Sequence, residues 1–73
     1  MKQDENKTID DPTPEDLLVK GVELFGSKVK FDHWMNCPNS FLGEIKPYYL
    51  MFESGGIKKI YDELIRLEYG VFR

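Results

Sequence analysis

The chain has 73 residues, of which 41% are hydrophobic and 32% charged, with a formal net charge of −3. At that length one domain buries only about 60% of the surface its unfolded chain exposes, which allows a small core and argues against a deep catalytic cavity. The lone cysteine, Cys37, excludes an internal disulfide, and no apolar run nears the roughly 20 residues that span a bilayer. Nothing at the N-terminus has the charged, apolar and small-residue succession of a secretory signal, so a soluble protein of the reducing cytoplasm is expected.

The charge is uneven. Residues 1–16 carry six acids against two lysines, whereas residues 17–73 carry eight basic residues against seven acids. A nucleic-acid surface needs a basic patch that displaces counterions from phosphates, and an acidic segment beside a nearly neutral body opposes direct contact with DNA. Residues 1–12 hold only Met1 and Ile9 as apolar side chains and read as a flexible, disordered acidic arm, with 13–73 as the folded domain.

Thr13-Pro14-Glu15-Asp16 is a helix start, with a capping hydroxyl, a proline suited to the first helical position, and two acids facing the positive end of the dipole. The first helix is predicted from Pro14 to Phe25, with Leu17, Gly21, Leu24 and Phe25 on one face, Asp16 reaching Lys20, and Gly26 as the stop. Ser27 can cap a shorter second helix in which Phe31, Trp34 and Met35 share the buried face, and Pro38 ends it. The Asn36–Ser40 stretch is rich in turn formers, and Phe41-Leu42-Gly43 follows as an ordered apolar hook. Pro47 opens a third helical turn carrying Tyr48, Tyr49, Leu50, Met51 and Phe52. The last helix, capped by Ser54, has Ile57, Ile60, Tyr61, Leu64 and Leu67 at steps of three and four. Its solvated face would carry Lys58, Lys59, Asp62, Glu63 and Arg66, with Asp62 placed to pair with Arg66. No stretch alternates as a strand does, so the expectation is all-α, a compact bundle of about four short helices.

One Trp, four Tyr and five Phe are more aromatics than a core of this size readily hides. Each taken singly reads as core; as a set, Tyr48, Tyr49, Phe52 and Phe41 favour an exposed partner surface. His33 and Cys37 lie one turn apart, but a zinc site would need two further ligands and a nucleophile would need a pocket and an orienting group, so they read as a partly exposed structural pair. Gly55-Gly56 has no Lys-Ser/Thr pair and no preceding strand, and reads as a helix entry rather than a phosphate cradle. No catalytic residue, metal site or cofactor site is expected, and the protein is not read as an enzyme.

From Leu24 onward, Leu24-Phe25-Gly26, Trp34-Met35, Pro38-Asn39, Leu42-Gly43, Pro47, Gly56 and Arg66-Leu67-Glu68-Tyr69-Gly70-Val71 form an ordered series. Residues 17–73 with this series resemble the toxin-binding domain of the MbcA/ParS/Xre antitoxin family. The resemblance implies a bacterial antitoxin whose partner is a RES-type toxin that consumes NAD, with the toxin's active-site cleft blocked by the antitoxin's C-terminal segment, here Glu68 to Arg73. It carries Arg66, Glu68, Tyr69, Gly70 and Val71 over as toxin-binding residues, to which Phe72 and Arg73 are added as an extension. Trp34, Pro38, Leu42, Gly43 and Pro47 carry over as fold determinants. Family members usually bear a helix-turn-helix domain ahead of this one, where this sequence has the acidic arm; the family's Trp-Leu is Trp34-Met35 here, and its Gly-Gly is Gly43-Glu44. From the residues alone, the C-terminal stretch reads equally as a wedge for a partner's cleft or as a terminus folded back on the core. A rival reading is a non-catalytic adaptor that dimerises through its aromatic surface and serves a separate DNA-binding protein as an oligomerisation unit.

Overall fold

The computed structural model describes residues 11–70. Among these, four α-helices follow one another: α1 (Pro14–Phe25), α2 (Lys28–Met35), α3 (Pro47–Leu50) and α4 (Gly56–Gly70), with a 3₁₀ turn at Ser40–Leu42 between α2 and α3. Among the described residues the only β-type pairing is an isolated bridge between Asn39 and Ile45. The all-α expectation holds.

The ends of α1 are set locally. The Asp16 amide donates to the Thr13 hydroxyl and the Thr13 amide to the Asp16 carboxylate, at 3.0 and 2.9 Å, which satisfies two otherwise orphaned donors. Asp16 is therefore spent on the cap and does not reach Lys20. Gly26 closes the helix in the left-handed region (φ 91°) with its amide on the Val22 carbonyl. Ser27 then caps α2 through the Lys30 amide. The connection after α2 is fastened by Asn39, whose side chain accepts from the Phe41 amide while its backbone pairs with Ile45 and Glu44. The turn there needs left-handed backbone at Gly43 (φ 91°) and also at Glu44 (φ 65°). A non-glycine residue pays about 1 kcal/mol or more for that conformation. Ser54 is not the cap of α4, which begins two residues later at Gly56, behind the left-handed Gly55 (φ 75°).

Each helix gives its apolar face to one core: Leu17 from α1, Phe31 and Met35 from α2, Leu50 from α3, and Ile60, Tyr61 and Leu64 from α4. Two close approaches depend on the absence of a side chain. Gly21 lets the Phe31 ring lie directly on α1, and Gly56 lets the first turn of α4 meet the Leu50 carbonyl. Trp34, expected in the core, is half-buried, with one side against the Phe25 and Phe31 rings at centroid distances of 5.7 and 6.2 Å. Among the other carried-over fold positions, Pro47 is fully buried, Leu42 is half-buried and Pro38 is exposed. Pro12, which the sequence assigns to the arm, is buried and lines a small cleft with Ile57 and the exposed Asp11; residues 1–10 of the arm lie outside the described residues.

Candidate functional site: the end of α4 and the exposed aromatic surface

Helix α4 carries the candidate residues outward from the core. Its buried stripe of Ile60, Tyr61 and Leu64 holds the helix against α1 and α3, and the half-buried Leu67 extends that stripe one more turn. Arg66 and Glu68 are then fixed on different sides. Glu68 accepts from the Lys20 ammonium of α1 at 3.2 Å, and Lys20 also lies 3.6 Å from Glu23. Burial alone would lower the Lys20 pKa, but the hydrogen bond and charge of Glu68, with Glu23 behind it, raise it above its ordinary value of 10.5.

Arg66 does not pair with Asp62. Its guanidinium meets Glu63 in two hydrogen bonds of 2.6 and 3.0 Å, and Asp62 pairs instead with Lys58. Glu63, expected on the solvated face, is only 6% exposed. A carboxylate is tolerated there because the planar arginine fork satisfies both of its oxygens. The outer face of that fork lies over the Phe41 ring, 3.9 Å from its centroid, so the 3₁₀ turn and α4 are joined by a cation–π contact. The Glu63 bond raises the Arg66 pKa.

Tyr69 is 54% exposed and Gly70 is exposed, and both still belong to α4. The expected tail from Glu68 onward is thus helical over its first three positions, because Leu67 and Glu68 keep that turn on the body. Val71, Phe72 and Arg73 lie outside the described residues.

The chain belongs to the Xre/MbcA/ParS antitoxin family. Its residues 20–70, well over half of the chain, match the family model described as the antitoxin Xre/MbcA/ParS C-terminal toxin-binding domain. No curated protein and no solved structure matches the chain. The match makes this a toxin-binding domain and gives the exposed surfaces of the fold their meaning.

A toxin-binding domain needs apolar surface left outside its own core. Phe41, Tyr48, Tyr49 and Phe52, the four aromatics singled out as a set, are all exposed, from 46% at Tyr48 to 73% at Phe52. Three of them form a ledge around α3, with the Tyr48 ring 6.4 Å from Tyr49 and edge-on to Phe52 at 5.3 Å. Sequence reasoning missed Val29, which is 77% exposed on α2, and the buried role of Glu63. The signal for Glu63 was its place one turn before Arg66, which periodicity alone ranks no higher than that of Asp62. His33 and Cys37 do meet, with Cys37 Sγ 3.6 Å from His33 Nε2. Among the described residues no group of three or more His, Cys, Asp or Glu is placed to hold a metal ion, and no helix is long and apolar enough to cross a membrane.

Proposed function

We propose that this antitoxin domain neutralises a RES-type, NAD-consuming toxin in the bacterial cytoplasm, with residues 13–73 as the binding unit. The helical body docks on the toxin, and the segment from Glu68 to Arg73 enters and blocks the toxin's active-site cleft. The observation that carries this reading is the anchoring of the last turns of α4. Arg66 is held by Glu63 and Phe41, and Glu68 by Lys20, which fixes the helical turn that carries the exposed Tyr69 and Gly70. A pre-ordered launch point of this kind lowers the entropy lost when the following residues enter a cleft. Tyr69 and the apolar Val71 and Phe72 are of the residue types that dominate binding energy, and Arg73 adds a charge. In this reading the domain needs no catalytic group of its own.

The test is co-expression with the RES-type toxin encoded beside it, measuring cellular NAD and co-purification for the full chain and for a chain lacking Tyr69–Arg73. The full chain is expected to co-purify and hold NAD near its toxin-free level. The shortened chain, which keeps Glu68 and its bond to Lys20, is expected to fold and still bind through its body while NAD falls. Preserved NAD with the shortened chain would refute the cleft-blocking mechanism.

A further inference from the structure

The fold holds Phe41 in place without using it in the core. The 3₁₀ turn sends Leu42 inward, where it packs against the core, and its neighbour Phe41 outward, with 67% of its surface exposed. Yet the exposed ring is fixed twice. At its base, the Phe41 amide donates to Asn39 Oδ1 at 2.8 Å, and the turn is closed by the bridge between Asn39 and Ile45. On one face, the Arg66 guanidinium lies 3.9 Å from the ring centroid, and that guanidinium is itself locked by two hydrogen bonds to the buried Glu63. A cation–π contact at an exposed site adds little stability, and a ring left mostly in water adds little more, so the fold gains little from holding it. A partner gains more, because an aromatic side chain that is already oriented loses little entropy when it enters a pocket.

We propose that Phe41 is a contact on the toxin, entering an apolar socket the size of an aromatic ring, and that Arg66 is a positioning residue that acts on toxin binding through Phe41. The place of the ring decides the partner. Arg66 lies on α4 in the turn before Tyr69 and Gly70, so Phe41 is continuous with the end of the helix that the toxin reading already uses. Arg66 itself is not spare for the toxin. Both oxygens of Glu63, which is 6% exposed, are satisfied by its fork, and drawing it away would leave a buried carboxylate unpaired. The Phe41 contact rests on the toxin reading for its partner and does not depend on cleft-blocking, which the cellular NAD level tests separately.

Calorimetric titration of the full-length chain into the purified RES-type toxin encoded beside it tests this. Phe41→Ala should weaken binding at least about tenfold, as expected of an aromatic anchor, while its thermal melt stays close to that of wild type. Arg66→Lys keeps a cation beside Glu63 but loses the planar fork, and should weaken binding about three- to tenfold, the effect of one side chain that must be immobilised afresh. In the Phe41→Ala chain the same change should weaken binding less than about twofold, because the ring through which it acts is gone. An Arg66 that merely supports the fold, or one that touches the toxin itself, would lower affinity equally in both chains. Should Arg66→Lys melt early, Arg66→Met combined with Glu63→Leu removes the buried charge together with its partner and takes its place in the same comparison. Phe41→Ala binding as tightly as wild type, or equal losses from the Arg66 change in both chains, would overturn the proposal while leaving the toxin reading intact; no binding by the wild-type chain would overturn both.

Discussion

At single positions, glycine separates what the fold requires from what the partner requires. A methyl group at Gly56 would run into the Leu50 carbonyl, and one at Gly21 into the Phe31 ring, whereas no atom of the described residues is found within 4 Å of the place a methyl would take at Gly70. Gly56→Ala and Gly21→Ala are expected to cost about 1–3 kcal/mol each through overpacking, with Gly56 the more severe because backbone rather than a ring must give way. Gly70→Ala should leave stability unchanged or raise it by up to about 0.5–1 kcal/mol, since alanine is the better helix former. Urea unfolding of the three variants decides this; a Gly70→Ala loss as large as that of Gly56→Ala would mean that the end of α4 packs on something the geometry does not show. If Gly70→Ala folds well yet binds toxin poorly, its role belongs to the interface.

Among the elements, the contact between α1 and α4 has an ion pair whose sign can be worked out. The folded-state pKa of Lys20 is raised, so the charged ammonium is favoured by folding. Its stabilisation is complete below the unfolded pKa of about 10.4 and fades as pH climbs through the higher folded value. With Glu68 partly exposed, the pair contributes about 0.2–1 kcal/mol. Lys20→Met should therefore be less stable than wild type at neutral pH by about that amount, and the gap should close above about pH 10.5; a gap that stays constant into the alkaline range would show that the loss is one of packing rather than charge. This pair was not legible in the sequence, where Lys20 stood one turn from Asp16 and 48 residues from Glu68. Local devices were legible: Thr13, Pro14 and Gly26 bound α1, and Ser27 opens α2, because caps act within four residues. The start of α4 was misplaced at Ser54, since what sets it is the close approach of Gly56 to Leu50, a tertiary fact that a capping rule does not contain. The candidate site divides in the same way. Arg66, Glu68 and Tyr69 stood out as a motif, while the buried Glu63 and the Phe41 ring that orient Arg66 come from the folded arrangement.

As a whole, the described residues build their core on seven buried apolar side chains and leave Leu18, Val19, Val29 and four large aromatics exposed, as well as Tyr69. A 73-residue chain with so much apolar surface in water has little stability in reserve, and much of what it can gain comes from covering that surface with a partner. A ligand that binds only the folded state adds about 2.7 kcal/mol at a hundred times its dissociation constant. For core amides that exchange only through global unfolding, that is about a hundredfold slowing. Hydrogen exchange of the antitoxin, alone and saturated with its toxin, should accordingly show slowing of about that size in the α4 segment around Ile60 and Leu64, where the side chains are already fully buried and no direct shielding by the toxin is available. Slowing confined to α3 and the end of α4, with Ile60 and Leu64 unchanged, would mean that the toxin covers surface without drawing on the stability of the fold. Slowing that reaches the core would show that recognition and folding draw on the same apolar surface.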